Sequence, residues 1–454
     1  MAHPTQRRMR AFALLAAVAI AGTACSSDDG GTAGTDGAET ASLRYALWDA
    51  NQQPAYQQCT DMYMEENTDV TVTLEQTGWD DYWTGLQTAM VAGDAPDIFT
   101  NYIGQVPEFL DKNLLVDIAP LIERDEVDLS IYRSGVELWQ RDDQQFGLPK
   151  DWDTVAMVYN QDMLDAAGVT VDELNAATWN PDDGGTFEEI IARLTLDADG
   201  NDGLSPDFDA DNVVQYGLIP HGVGGGIGNQ HWSWLAVPNG FDFQPEPWSN
   251  EYNYDAPELV ETFEWLRSLW TEKGYAPPFA DQESLGANAL FLAGEGALVA
   301  DGSWMINSYV DAADVNAGFA RLPEGPQGRK SATNSLADSI WTGSENQEAA
   351  WEFVQFLASA ECLDIVGESG VVFPSTDSGT DKVLELRQSQ GVDVSAFTDQ
   401  SADPEGTFLN PIGDSFAEVS SIMNDYEGRI FGGTGDIATL LEEANTAVLD
   451  AAGG

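Results

Sequence analysis

Strand-like and helix-like patterns alternate along this chain, and that alternation restricts its fold more than any other feature. Leu43, Tyr45 and Leu47 share one face, so Leu43–Trp48 reads as a strand. Pro54–Glu66 reads as a helix with proline in its first turn. Val70, Val72 and Leu74 alternate with Thr71, Thr73 and Glu75, again a strand. Asp80–Ala92 follows as a helix closed by Gly93, then Asp97–Thr100 as a short buried strand. Farther on, Val155–Tyr159 is a strand and Gln161–Ala167 a helix ended by Gly168. Asp255 and Glu258 have capping-box spacing before a helix that ends near Lys273-Gly274. Leu259, Phe263, Leu266 and Trp270 lie on one side of it. Ser344 and Gln347 mark the start of another helix, with Ala350, Val354 and Leu357 at helical spacing. Such a succession predicts α/β architecture, a mostly parallel sheet with helices on both faces. The hydrophobic share, 43%, is enough to fill its core.

The first residues have a different character. Arg7, Arg8 and Arg10 precede an apolar run from Ala11 to Ala21, and Gly22, Thr23 and Ala24 lead to Cys25. A basic start, a short apolar stretch and small residues before a cut read as a secretory signal, 1–25. The apolar run is shorter than the roughly 20 residues needed to span a bilayer. A cysteine at the cut resembles a bacterial lipoprotein signal, although Gly22 stands where leucine is usual. The resemblance implies that Cys25 is lipidated and that the folded part works outside the cell, anchored to the outer face of the cytoplasmic membrane. Residues 26–41, rich in Gly, Ser, Thr and Asp, read as a flexible tether. Two cysteines remain, Cys59 and Cys362. Outside the cell they either pair or stand as separate thiols, and spacing alone does not choose.

Charge narrows the partners. Eighteen Lys+Arg face 77 Asp+Glu, a net charge of −59. A surface of that sign excludes nucleic acid and disfavours anionic ligands and anionic lipid surfaces. With three histidines in all, zinc sites and histidine-based acid–base catalysis have little to draw on.

In open α/β sheets ligands sit beyond the carboxyl ends of strands. The first predicted strand delivers Trp48, Asp49, Asn51 and Gln52 there, the second Trp79 and Trp83, the third Asn101 beside Thr100 and Tyr102. Indoles next to carboxylates and amides suit a sugar. The ring stacks on the apolar C–H face of a pyranose, while Asp, Asn and Gln meet hydroxyls that both donate and accept. Trp232 and Trp234, which follow the glycine-rich run Gly222–Gly228, and Trp304 in Gly302-Ser303-Trp304 extend the set. The glycine run lacks phosphate-loop spacing and a following lysine, which argues against a nucleotide. Asp197, Asp199, Asn201 and Asp202 before Gly203 resemble a calcium loop whose glycine comes one place late. Calcium is therefore the one cofactor the sequence suggests. No G-x-S-x-G or H-E-x-x-H motif supports catalysis.

Several blocks together resemble the extracellular solute-binding proteins of carbohydrate ABC importers, of the maltose-binding type: Gly93–Thr100, Phe146–Leu164, Thr186–Leu194, Phe291–Ile306, Arg321–Arg329 and Ser344–Glu361. The resemblance implies a type II two-lobe fold with a cleft between lobes joined by hinge crossings. One lobe would be 42–148 plus 318–359, the other 149–317 plus 360–454, with the second crossing near Ala317–Leu322. It makes Leu148–Thr154 a hinge strand, which puts Lys150, Asp151, Trp152 and Asp153 at the cleft. It aligns Trp304 with an aromatic that stacks on sugar, and Asn334-Ser335 with a place where the family often has a glycine pair. The implied function is non-enzymatic: a monomeric receptor that binds a neutral mono- or oligosaccharide and hands it to membrane permease subunits. Three alternatives remain at this point. A receptor for a polyol or glycerol phosphodiester would use Arg44 and Lys150, a cell-surface glycoside hydrolase would release shortened oligosaccharides, and a sensor or adhesion protein would transport nothing.

The acid surplus generates one expectation about stability. Carboxylates this dense repel one another until cations screen them. The melting temperature should climb as salt is raised from millimolar to molar; a flat or falling curve would show that the acidic surface carries no adaptation to salt.

Overall fold

The computed structural model describes residues 40–133 and 135–453. Cys25 and the leader around it, together with tether residues 26–39, lie outside the described residues. Fifteen strands follow in order: β1 Ala41–Leu47, β2 Val70–Gln76, β3 Ile98–Tyr102, β4 Gln140–Arg141, β5 Gln144–Gln145, β6 Leu148–Pro149, β7 Asp151–Asn160, β8 Leu196–Asp197, β9 Val213–Leu218, β10 Gly296–Gly302, β11 Ala317–Ala320, β12 Ser331–Asn334, β13 Leu336–Ile340, β14 Phe373–Pro374 and β15 Thr407–Leu409. They form two large sheets, each the centre of one lobe. The first has the order β2-β1-β3-β13-β6 and the second β15-β12-β7-β10-β9-β8, with β11 and β14 also pairing with β7. A small hairpin, β4–β5, stands apart.

The early pattern folds as the residues dictate. Alternation in β1 sends Leu43, Tyr45 and Leu47 into one apolar cluster and Ala46 into another across the sheet. The same period in β7 divides Val155 and Met157 from Ala156 and Val158. The helix Trp79–Ala92 ends at Gly93, whose φ of 77° lets its N–H turn back onto the carbonyls of Ala89 and Met90. Asn160 caps Gln161–Ala167 by accepting from Asp162 and Met163 N–H groups.

Four expectations need correction. First, the sheets are mixed: β2-β1-β3, β9-β10 and β12-β15 pair in parallel, whereas β13 runs antiparallel to β3 and β6, and β7 antiparallel to β10, β11, β12 and β14. It enters its lobe from the hinge, while β10 and β12 run back toward the hinge. Second, the return crossing is not near Ala317–Leu322. β11 and β12 both pair with β7, so the chain stays in the second lobe until Asn334–Leu336. Third, residues 360–372 belong to the first lobe. Helix Ala360–Ser369 packs there through Leu363 and Val366, and Cys362 bonds Cys59 of helix Gln53–Glu66, Cα atoms 5.3 Å apart. The chain crosses again at Val372–Phe373, where β14 joins β7. Fourth, neither expected cap forms. Pro257 opens its helix after Ala256, and the Asp255 carboxylate instead accepts from Asn445. Ser344 Oγ donates to Asp97 and accepts from Asn346 N–H, ahead of a helix that begins at Gln347 without a side-chain cap.

The three crossings meet side by side. Lys150 N–H donates to Leu336 O at 2.9 Å, Ser375 N–H to Lys150 O at 3.2 Å, and Leu336 N–H to the Asp151 carboxylate at 2.7 Å. The Lys150 ammonium turns inward, 1% exposed, and donates to Tyr45 Oη, Thr100 Oγ1 and Asp338 Oδ1 at 2.8–3.0 Å. It also lies 3.8 Å from the centre of the Tyr56 ring.

A buried charge left without its partner is costly. Lys150→Ala should therefore lower stability by about 3–5 kcal/mol in urea unfolding, and Lys150→Met with Asp338→Leu should recover most of that loss. A single variant as stable as the parent would show that the pair is not a structural hub.

Candidate functional site in the interlobe cleft

The carboxyl ends of β1, β2 and β3 point into the cleft from the first lobe. From the second come the carboxyl ends of β10 and β12 and the amino end of β7, because β7 is antiparallel to both. The cavity between them holds about 730 Å³, within the range of small-molecule sites.

One wall is aromatic. Trp48, Trp79 and Trp83 pack with ring centroids 5.1–5.4 Å apart, and Tyr102 meets Trp79 at 5.9 Å. Trp79 keeps 46% of its surface exposed. The other lobe supplies Trp304, whose indole lies over Gly302; a Cβ there would sit 2.1 Å from Trp304 Cη2. Only glycine lets the ring take that place. Trp152 lines the floor, stacked on Phe373 at 4.6 Å and donating to Thr380 at 3.1 Å.

Polar groups interleave with these rings. Asp49 accepts from Asn51 N–H and Gln52 Nε2 at 2.8 and 3.0 Å. Asp151 and Asp153 share one face of β7, with Asn334 opposite Asp153 on β12. Burial pushes the Asp151 carboxyl up to about 6 and holds Asp153 well above its ordinary range. His231 also lines the cavity, its ring 5.1 Å from that of His221, and burial pushes it well below its ordinary value, keeping it neutral. Trp83 Nε1, Asn229 Oδ1 and Asn334 Oδ1 are buried polar atoms beside the cavity with no partner among the described residues.

Of the residues picked from sequence, the cavity brings together Trp48, Asp49, Gln52, Trp79, Trp83, Asp151, Trp152, Asp153, Trp304 and Asn334. Four lie elsewhere. Asn51 is exposed beside the rim. Asn101 is fully buried and donates to Ser339, because the pleat of β3 turns it away from Tyr102. Trp232 and Trp234 belong to the second lobe's core. The turn of helix Asn229–Ser233 presents Asn229, Gln230 and His231 to the cavity and sends Trp232 inward, where Nε1 donates to Glu427 at 2.9 Å. Glu427 also accepts from Gly224 N–H and so fixes the glycine-rich loop along the wall; burial pushes it up to about 8.

Sequence reasoning missed one whole element. Helix Phe416–Phe431 lays Ala417, Ser420, Ser421 and Asn424 along the cavity while Val419, Met423 and Ile430 face the core. A small polar stripe at i, i+3, i+4 and i+7, free of the acids that cover other surfaces, was the available signal. Two contacts close this side: Phe416 packs on Tyr102 at 6.2 Å, and Arg141 of β4 pairs with Asp414 at 2.9 Å while lying 4.4 Å over Trp248.

The acidic loop is organised around Asp197. The Asp197 carboxylate already accepts from Asp199, Asn201 and Asp209 N–H groups and from Asn201 Nδ2. Its oxygens serve a turn rather than a cage of converging carboxylates. Among the described residues no group of three or more His, Cys, Asp or Glu is arranged to hold a metal ion.

The profile of the family described as bacterial extracellular solute-binding protein matches residues 58–383. A maltotriose-binding protein of Pyrococcus abyssi is 25% identical over 340 residues, 72% of this chain; the chain spans 64% of that relative's length. Among solved structures, M. tuberculosis UspC superposes with a TM-score of 0.72 at 27% identity, covering 90% of this chain and 100% of that one. The substrate-binding protein Lmo0181 of Listeria monocytogenes, in complex with cycloalternan, gives 0.78 at 21% identity over 91% and 99%, which establishes a shared two-lobe fold.

The contrast between the tryptophans is testable. Trp232→Ala should cost about 3–5 kcal/mol of stability, the usual range for emptying a core indole site. Trp79→Ala, at a half-exposed position, loses only its aromatic edge contacts and should cost about 0.5–1.5 kcal/mol, well below the loss at Trp232. Equal losses in thermal unfolding would contradict this division between core and cleft.

Proposed function

The chain belongs to the bacterial extracellular solute-binding proteins, and on that premise we propose that it is the capturing component of a carbohydrate ABC importer. It holds an oligosaccharide without anionic groups between its lobes. The observation that carries this reading is the cleft lining: tryptophans on both sides, amides and carboxylates between them, and, among the described residues, no lysine or arginine. Rings stack on sugar C–H faces, and the polar groups pair with hydroxyls. The similarity to a maltotriose-binding protein supports the same class.

The lining disfavours a phosphodiester. Arg44 is occupied by Glu75 and Asp94, and Lys150 by Asp338. An anion in the cleft would meet Asp49, Asp151 and Asp153. A hydrolase gains no support from relatives that are themselves binding proteins.

In the proposed cycle the open form admits the sugar and contacts from both lobes favour closure about the three crossings. Closed lobes then dock on permease subunits. Lipidation at Cys25 would hold the receptor at the outer face of the membrane, as a monomer.

A thermal-shift screen at high salt tests the proposal, with gluco-, manno- and amino-oligosaccharides as probes. A ligand that binds only the folded protein raises its melting temperature. Trp304→Ala and Asp49→Ala should each weaken the best binder at least about tenfold, or ~1.4 kcal/mol, without unfolding the protein. No shift with any sugar would refute the carbohydrate reading, and shortened products after incubation would refute the receptor in favour of a hydrolase.

A further inference from the structure

Resting on the reading of the cleft as a carbohydrate site, we infer that it selects oligosaccharides carrying a protonated amine over their hydroxyl counterparts. The inference begins with a charge count along the lining. Asp49, Asp151 and Asp153 face the cavity, and neither lysine nor arginine does. The nearest basic side chains are engaged elsewhere. Lys150 is turned beneath the cleft onto Asp338. Arg133 lies over the Trp152 ring, 5.7 Å from its centre, and pairs with Asp377. Arg141 is held by Asp414 and Trp248. His231 is neutral, because burial opposes its charged form. Among the described residues no lysine or arginine lines the partly desolvated space these three carboxylates share, although the Lys150 charge beneath it pulls Asp151 downward.

The protein satisfies them only in part. Asp49 and Asp151 accept the neutral donors already named, and Asp153 accepts from Asn334. The carboxylates also sense one another. Asp49 and Asp338 add to the upward push on Asp151, and Asp151 adds to that on Asp153. A positive charge placed among them would relieve that repulsion.

An independent feature points to the same ligand group. Asn334 is 8% exposed, lines this wall opposite Asp153, and its Oδ1 accepts from nothing among the described residues. Ionised carboxylates and an unpartnered amide oxygen are all acceptors, and a neighbouring cation favours the ionised form of Asp153. An ammonium brings three donors and a positive charge, whereas a hydroxyl brings one donor and none. Charge-assisted hydrogen bonds are about twice as strong as neutral ones. The chain's charge of −59 also draws cationic solutes toward the cleft.

Calorimetry on the purified protein at neutral pH tests this with matched pairs. A β-1,4 glucosamine trisaccharide is compared with the glucose trisaccharide of the same linkage. An α-1,4 pseudotetrasaccharide with one secondary amine is compared with maltotetraose. The amine member should bind at least about tenfold tighter in whichever linkage the cleft accepts. Asp153→Asn, and separately Asp49→Asn, should narrow that ratio toward one; melting curves of the unliganded variants confirm that each is folded. A hydroxyl member that binds as tightly as its amine partner overturns the inference and leaves the carbohydrate reading standing. Binding by no member of either pair or of the wider sugar panel overturns both.

Discussion

One buried ammonium organises the molecule. Lys150 stands at the first crossing between the lobes, and its three donors reach Tyr45 on β1, Thr100 on β3 and Asp338 on β13. Its backbone meanwhile bonds Leu336 and Ser375 at the other two crossings. A single side chain thus registers the first sheet against the hinge. Desolvating an ammonium is expensive unless a carboxylate and further acceptors meet it, and here all are supplied at once. A hub of this kind favours one arrangement of three chain segments that hydrophobic burial alone would leave loosely defined.

The cleft follows from that arrangement. Because the crossings lie together, the strand ends of both sheets are brought to face each other across a short gap. The first lobe offers a rigid aromatic wall, each indole braced by the next. The second offers residues set by backbone devices: a glycine that lets Trp304 fold over the chain, and a glycine-rich loop tied to Glu427. Contacts at the far rim, Phe416 on Tyr102 and Arg141 with Asp414, join the lobes away from the hinge. Closure is thereby coupled to surfaces that flank the cavity.

Much of the first lobe was legible because its signals are local. Alternation in Leu43–Leu47 and Val70–Leu74, a proline near a helix start and a glycine at a helix end depend on neighbours in sequence. The strand-end rule then placed Trp48, Asp49, Gln52, Trp79 and Trp83 correctly at the cavity. It failed for Asn101, where one residue of pleat decides between cavity and core. It failed for Trp232 and Trp234 because composition does not reveal which way a short helix turns. Ser420, Ser421 and Asn424 escaped notice, since three small polar residues acquire meaning only once their helix lies along the cleft.

By itself the sequence determined the α/β alternation, the family and the acidic character, because periodicity, motif blocks and charge are properties of the chain before it folds. Tertiary structure decided where the chain changes lobes, that Cys59 finds Cys362 across 303 residues, and which indoles remain accessible. Each of these is a contact between distant segments. The free energy that selects among such contacts comes from burying both partners together, and neither partner's own neighbourhood encodes it.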